Sequence, residues 1–201
     1  MITGRVVELT AKHGMVQQIE GSIEQLAGKA VAEQVMVGCE DITEKTDKKR
    51  TAMWVQGAMQ RLDALVDEKT RVQIMQNCGY NCAKKNHRVI ERALNRRKKF
   101  GSFEEFLKGE VAKPMRGTKL TREGNILYQF YTPQAFAKPM RCYCGLLREL
   151  PKGQTISSTY CNCSKGFVEK YWEEVLGKPV QVDILQSAVS GATECIFAIH
   201  I

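Results

Sequence analysis

The chain contains no run of about 18 apolar residues, so no membrane-spanning helix is expected. It opens MITGRVVELTAKHG, without the basic start and apolar h-region of a secretory signal. The two absences together lead to the expectation of a cytoplasmic protein. Proline is sparse, five among 201 residues, which argues against long disordered linkers. Histidine is sparser still: His13, His87 and His200 show no ligand spacing to one another or to any cysteine. Nothing matches a phosphate-binding loop, a nucleophile elbow or a HExxH helix, so the nucleotide-dependent, serine-hydrolase and zincin classes lose their signatures. No repeat of fixed period is visible.

What the chain does hold is cysteine, eight in all. In a reducing compartment, cysteines at short fixed spacings point to metal binding or catalysis before disulfides. Six form close pairs: Cys78/Cys82, Cys142/Cys144 and Cys161/Cys163. Cys39 and Cys195 stand alone and read as structural, because free cysteine often packs as a small hydrophobe.

The formal charge of +8 is concentrated. Within residues 83–99, Lys84, Lys85, Arg88, Arg92, Arg96, Arg97, Lys98 and Lys99 face the single acid Glu91, a net of +7 that leaves the remainder near neutral.

Hydrophobic content is an ordinary 43%, enough for one good-sized domain or a helical part packed on a smaller α+β part. The first half reads as helical. From Ile23, residues Leu26, Ala27, Ala30, Val31 and Val35 keep a period near 3.6. The polar stretch GCEDITEKTDKKR predicts a loop, followed by a helix burying Val55, Met59, Leu62 and Val66. Another helical stretch from Asp67 to Cys78 is expected to be interrupted at Gly79, and a separate basic helix to cover 81–99. Ser102 and Glu105 form a capping box for a short helix.

After about Lys113 the pattern changes. NILYQFYT reads as a strand and MRCYCGLLREL as a shorter one. A helix beginning near Ser164 buries Val168, Tyr171, Trp172 and Val175 and ends at Gly177. PVQVDILQSAV and TECIFAIHI predict two strands joined at Ser190–Gly191. The expected fold is α+β: a helical N-terminal region, 1–112, packed in one unit on a C-terminal antiparallel sheet with one amphipathic helix, 113–201.

A Cys-x-Cys pair in an extended segment places both side chains on one face. Two such pairs, Cys142/Cys144 and Cys161/Cys163, could supply four thiolates to a tetrahedral zinc, or part of an iron–sulfur cluster. Cys161 and Cys163 stand at a helix start, where the dipole favours a thiolate. Cys78 and Cys82, at helical i, i+4 spacing, are auxiliary candidates.

The segment LGKPVQVDILQSAVSGATECIFAIHI resembles the closing part of vinyl-reductase-type ligand-binding domains, with Gly177, Lys178, Pro179, Ser187, Gly191, Cys195, Phe197 and Ile199 at the matching positions. It is also similar to bacterial proteins related to the L-2-amino-thiazoline-4-carboxylic acid hydrolases. CGYNCA, CYCG and YCNCSKGFV look like those of a cysteine-rich bacterial family. The resemblance covers about the last 60 residues. It implies an α+β sensor-like fold enclosing a small molecule, sometimes with a cysteine-bound metal.

The leading functional expectation is a small-molecule-binding or sensing protein with a thiolate metal site of zinc or iron–sulfur type, acting alone or as a homodimer. The alternative is a hydrolase of a small C–N bond with Cys161 or Cys163 as nucleophile. Nucleic-acid binding through the basic helix is disfavoured, because no aromatics interleave its cations.

Overall fold

In the computed structural model, residues 12–133 and 140–201 are described; the opening segment 1–11, which contributed to the secretory-signal reading, lies outside them. The described residues form seven helices and a four-stranded antiparallel sheet, the α+β class expected from sequence. The helices before the sheet are α1 (Gly14–Ala27), α2 (Lys29–Val35), α3 (Lys48–Leu65), α4 (Glu68–Lys85), α5 (His87–Arg97) and α6 (Phe103–Ala112). Strands β1 (Thr118–Glu123) and β2 (Ile126–Tyr131) follow, then α7 (Asn162–Leu176), β3 (Gln181–Gln186) and β4 (Cys195–His200). No described helix is long and apolar enough to cross a membrane.

Several boundaries depart from expectation. The apolar period from Ile23 to Val35 is split by Gly28, whose φ of 88° ends α1 and starts α2. The loop after Gly38 is short, because Asp47 caps α3 by accepting from the Arg50 N–H at 3.0 Å. Helix α4 runs unbroken through Gly79. The interruption falls instead at Asn86, whose amide donates to the Cys82 carbonyl at 2.8 Å and closes the helix end, so the basic segment is two helices. MRCYCGLLREL is no strand but a series of turns, and β1 was hidden in the mixed polar pattern TKLTRE. The capping box of Ser102 and Glu105 is present as read, as is the Gly177 stop of α7 at φ 71°.

The sheet order is β1-β2-β4-β3. Leu127 pairs with Ile199, Gln129 with Phe197 and Val182 with Ile199, placing one apolar face against α7. Val168, Tyr171, Trp172 and Val175 of α7 fill that interface, and the buried Trp172 indole donates to Gln129 Oε1 at 2.8 Å. A second apolar cluster joins α1 to α4 with Leu146, Leu147, Leu150, Ile156 and Tyr160 of the segment before α7. The most extensive contact between elements is α4 on α7, which links the two clusters.

That contact is made backbone to backbone. A Cβ at Gly79 would stand 2.0 Å from the Cys163 carbonyl oxygen, and one at Gly166 would stand 2.3 Å from that of Gln76. Glycine inside a helix costs about 1 kcal/mol relative to alanine, a cost that close helix packing offsets here. Gly79→Ala or Gly166→Ala is expected to lower stability by about 3 kcal/mol or more, since both obstacles are main chain. Gly145→Ala, with no atom within 4 Å, is the neutral comparison. Thermal unfolding measures the difference, and equal midpoints for all three variants would refute a backbone-tight crossing.

Candidate functional site

The crossing determines where the sulfurs go. Cys78 and Cys82 lie one turn apart on α4, either side of Gly79, while Cys163 lies in the first turn of α7. Because the Gly79 backbone meets the Cys163 carbonyl, Cys78, Cys82 and Cys163 line one small pocket of about 10 Å³, with Cys78 Sγ also donating to Ser22 Oγ at 3.5 Å. That volume is close to the space of a single water-sized atom. Met15, Gln18 and Ile19 of α1 and Met75 of α4 form part of the wall, with Leu146 and Tyr160 closing it. The Tyr160 hydroxyl bonds Cys144 Sγ at 3.0 Å, bringing a fourth thiol to the edge. The Cys144 N–H in turn donates to Cys142 Sγ at 3.4 Å, so this Cys-x-Cys pair is folded in a turn rather than displayed on a strand face.

Cys161 takes a different direction. Its sulfur is 2.7 Å from Ser187 Oγ, on the side of Cys195, whose own sulfur accepts from the Ala188 N–H at 3.4 Å. Cys144 and Cys161 thus have different hydrogen-bond partners, Tyr160 and Ser187. Cys142 is coupled electrostatically to Cys144, Cys161 and Cys195. Cys163 is coupled to Cys144, Cys78, Cys82 and Cys142. Cys78 and Cys82, auxiliary in the sequence reading, share the pocket with Cys163, and Cys195 is coupled electrostatically to Cys161. Cys39 is buried apart, near Glu20 and Lys12. All eight are free thiols, and among the described residues no three His, Cys, Asp or Glu side chains are arranged to hold a metal ion as they stand.

The thiols are protonated at neutral pH. Burial pushes Cys78 and Cys161 up to about 11, despite hydrogen bonds from each to a serine that oppose the shift. Burial also raises Cys142 and Cys163 well above the usual thiol range, with neighbouring thiols adding to it. Cys82, Cys144 and Cys195 shift in the same direction for the same first cause. The thiolate expected at the start of α7 is therefore not obtained: desolvation outweighs the helix dipole, which supplies only about 0.3–1 kcal/mol at ordinary sites. A cysteine nucleophile loses its activation by this route. The histidines lie elsewhere: His13 caps α1, His87 faces Glu91, and His200 bonds Asp183 at 2.8 Å.

The basic stripe is partly consumed inside the fold. Arg96 makes a two-pronged pair with the buried Glu110 at 2.7 and 2.8 Å. Arg97 donates to the Val175 carbonyl and lies over the Phe103 ring. Lys84, Lys85, Arg88 and Arg92 remain exposed.

Met15, Met75, Gln18 and Tyr160 were missed by sequence reasoning. Tyr160 could have been found beside Cys161; the methionines carry no local signal, since their role depends on α1 packing across α4.

Raised thiol pKa values have a stability consequence of definite sign. Above pH 9 the unfolded chain loses thiol protons that the folded chain retains, so stability falls as pH rises. The loss extends from about pH 9 to 11, at about 3 kcal/mol each for Cys78 and Cys161. Denaturant midpoints across this range, with iodoacetamide labelling of the folded protein, give the measurement. Labelling of Cys78, Cys161 or Cys163 at pH 7.5 as fast as in the unfolded chain would contradict it.

Comparison with known proteins adds a family but no activity. Residues 11–201 match the family of unknown function DUF6144. No curated protein matches the chain. Among solved structures it is similar to an H-NOX domain of Shewanella oneidensis, a mutant in the Fe(II)CO ligation state, at 14% identity and a TM-score of 0.47, covering 95% of this chain and 98% of that one. Two crystal structures of an H-NOX protein from the same organism, a mutant in the Fe(II) state and a protein in the Fe(II)NO state, are each 14% identical with TM-scores of 0.43; 94% of this chain is covered in both, with 95% and 98% of theirs.

Proposed function

The chain belongs to that family, and from this premise we propose that it binds a single soft metal ion in the sulfur-lined cavity and serves as a metal-binding or sensing protein rather than a hydrolase. One observation carries the reading: Cys78, Cys82 and Cys163, from two helices held together at Gly79, line a cavity of atomic size with Met15 and Met75. Thiolate and thioether are soft donors that select Cu(I), zinc or iron–sulfur centres. The size of the cavity favours one ion over a cluster of several irons. The thioethers of Met15 and Met75 in the wall favour Cu(I) over zinc, whose protein ligands are Cys, His, Asp and Glu.

Capture requires the thiols to turn inward, lose their protons and close on the cavity centre. Metal binding thus releases protons and ties α4 to α7 more firmly. Cys144, held to Tyr160, stands ready as a further ligand at the edge.

Anaerobic, reduced, metal-free protein is to be titrated with Cu(I) and separately with Zn(II), following near-ultraviolet thiolate-to-metal absorption and the free-thiol count. The expected result is one equivalent of Cu(I), bound more tightly than zinc. Cys163→Ser and Cys82→Ser each weaken binding at least tenfold, while Cys39→Ser does not. Eight titratable thiols and no thiolate band at several equivalents of either ion would remove the proposal.

A further inference from the structure

Of the eight cations between residues 83 and 99, the fold takes up two and leaves six in solvent. Arg96 and Arg97 turn inward to Glu110 and the Val175 carbonyl, whereas Lys84, Lys85, Arg88, Arg92, Lys98 and Lys99 are all exposed. Among the described residues, none of these six is in an ion pair with a carboxylate. The acid of the segment, Glu91, faces His87 at 3.8 Å. On α5 the exposed residues Arg88, Arg92 and Asn95 follow helical spacings of four and three, so they form one stripe. Lys98 and Lys99 continue the basic surface past the helix end, and Lys84 and Lys85 precede it across Asn86. At that end the surface becomes concave. Lys84 and Lys85 share an open groove of about 470 Å³ with Gly14, Gln17, Gln18 and Asn81, a lining of amides and cations without a carboxylate.

We infer that this surface binds the phosphate backbone of a nucleic acid without reading its bases. Six unpaired cations on one surface repel one another, and a polyanion relieves that repulsion by replacing its own counterions with them. Helix α5 has 11 residues and is about 16 Å long, a length over which one strand of a duplex presents about five phosphates. The guanidinium groups of Arg88 and Arg92 suit phosphate in two-pronged geometry, while the lysines act as point charges. No aromatic side chain stands between Ala83 and Lys99, so bases have nothing to stack on there and contact stays with the backbone. A lipid surface fits less well. Val89, Ile90, Ala93 and Leu94 of α5 pack into the core beneath the sheet, and the cationic stripe carries no apolar side chain to enter a bilayer. The inference is independent of the metal-binding reading and uses none of the thiols.

The full chain is to be titrated into a fluorescein-labelled DNA duplex of about 20 base pairs, and into the labelled single strand, with anisotropy as the readout. Affinity for the duplex is expected to fall about 40–150-fold between 50 and 200 mM salt, as the release of three to four counterions requires. Two duplexes of unrelated sequence are expected to bind within about twofold of each other. Arg88→Glu with Arg92→Glu weakens binding at least about tenfold at 50 mM salt, whereas Lys48→Glu with Lys49→Glu, the same charge change on exposed residues of α3, weakens it about threefold at most. Equal weakening by the two double variants assigns the binding to net charge and overturns the surface. Displacement by poly-glutamate as effective as by unlabelled DNA of equal charge overturns the nucleic-acid partner, and so does tighter binding to phosphatidylserine vesicles than to DNA. No anisotropy change with either duplex or single strand at 50 mM salt overturns the inference outright.

Discussion

The close crossing of α4 and α7 is the constraint on which the rest of the structure depends. Two glycines, Gly79 and Gly166, remove the side chains that would hold the helices apart, and each backbone meets a carbonyl of the other helix. The crossing joins the apolar cluster of the N-terminal helices to the one beneath the sheet, so neither region buries its apolar surface alone. It also places the cysteines. Cys78 and Cys82 flank one glycine, and Cys163 supplies the carbonyl that touches it, so a packing requirement and a chemical arrangement share the same residues.

Burial then decides the character of the site. A helix start and a nearby lysine both favour a thiolate, yet the thiols of α4 and α7 are all shifted toward the neutral form, with desolvation as the first cause. Removing a sulfur from water acts through its whole surroundings, whereas a helix end or one exposed lysine is a single, screened contribution. A protonated, sulfur-lined cavity is poorly suited to nucleophilic attack, which needs a standing thiolate.

The basic segment shows how composition and structure diverge. In sequence it is one stripe of eight cations; in the fold, Arg96 and Arg97 are taken up by Glu110 and the Val175 carbonyl, where they hold α5 to α6 and α7. Lys84 and Lys85 stay exposed at the end of α4, separated from the others by the break at Asn86. One charge run is thus divided between structural pairing and solvated surface.

Local patterns determined a good part of this protein by themselves. The 3.6-residue period of α3 and α7, the Ser102–Glu105 capping box, the Gly177 stop and the alternation of β2 and β4 depend on neighbours within a few residues, and each was legible in the sequence. That six of the eight cysteines stand in close pairs along the chain was legible too, since spacing alone gives it. Which cysteines meet was not. Cys161 and Cys163 are two residues apart, yet one thiol faces Ser187 and the other the cavity, because the chain passes from a short turn into α7 between them. Gly79 looked like a helix breaker and is a contact point, a distinction that exists only once α7 lies against it. The partners of the site, Met15, Gln18, Met75 and Tyr160, come from segments distant along the chain, and only tertiary packing brings them together, because no local propensity encodes a contact across 60 or more residues.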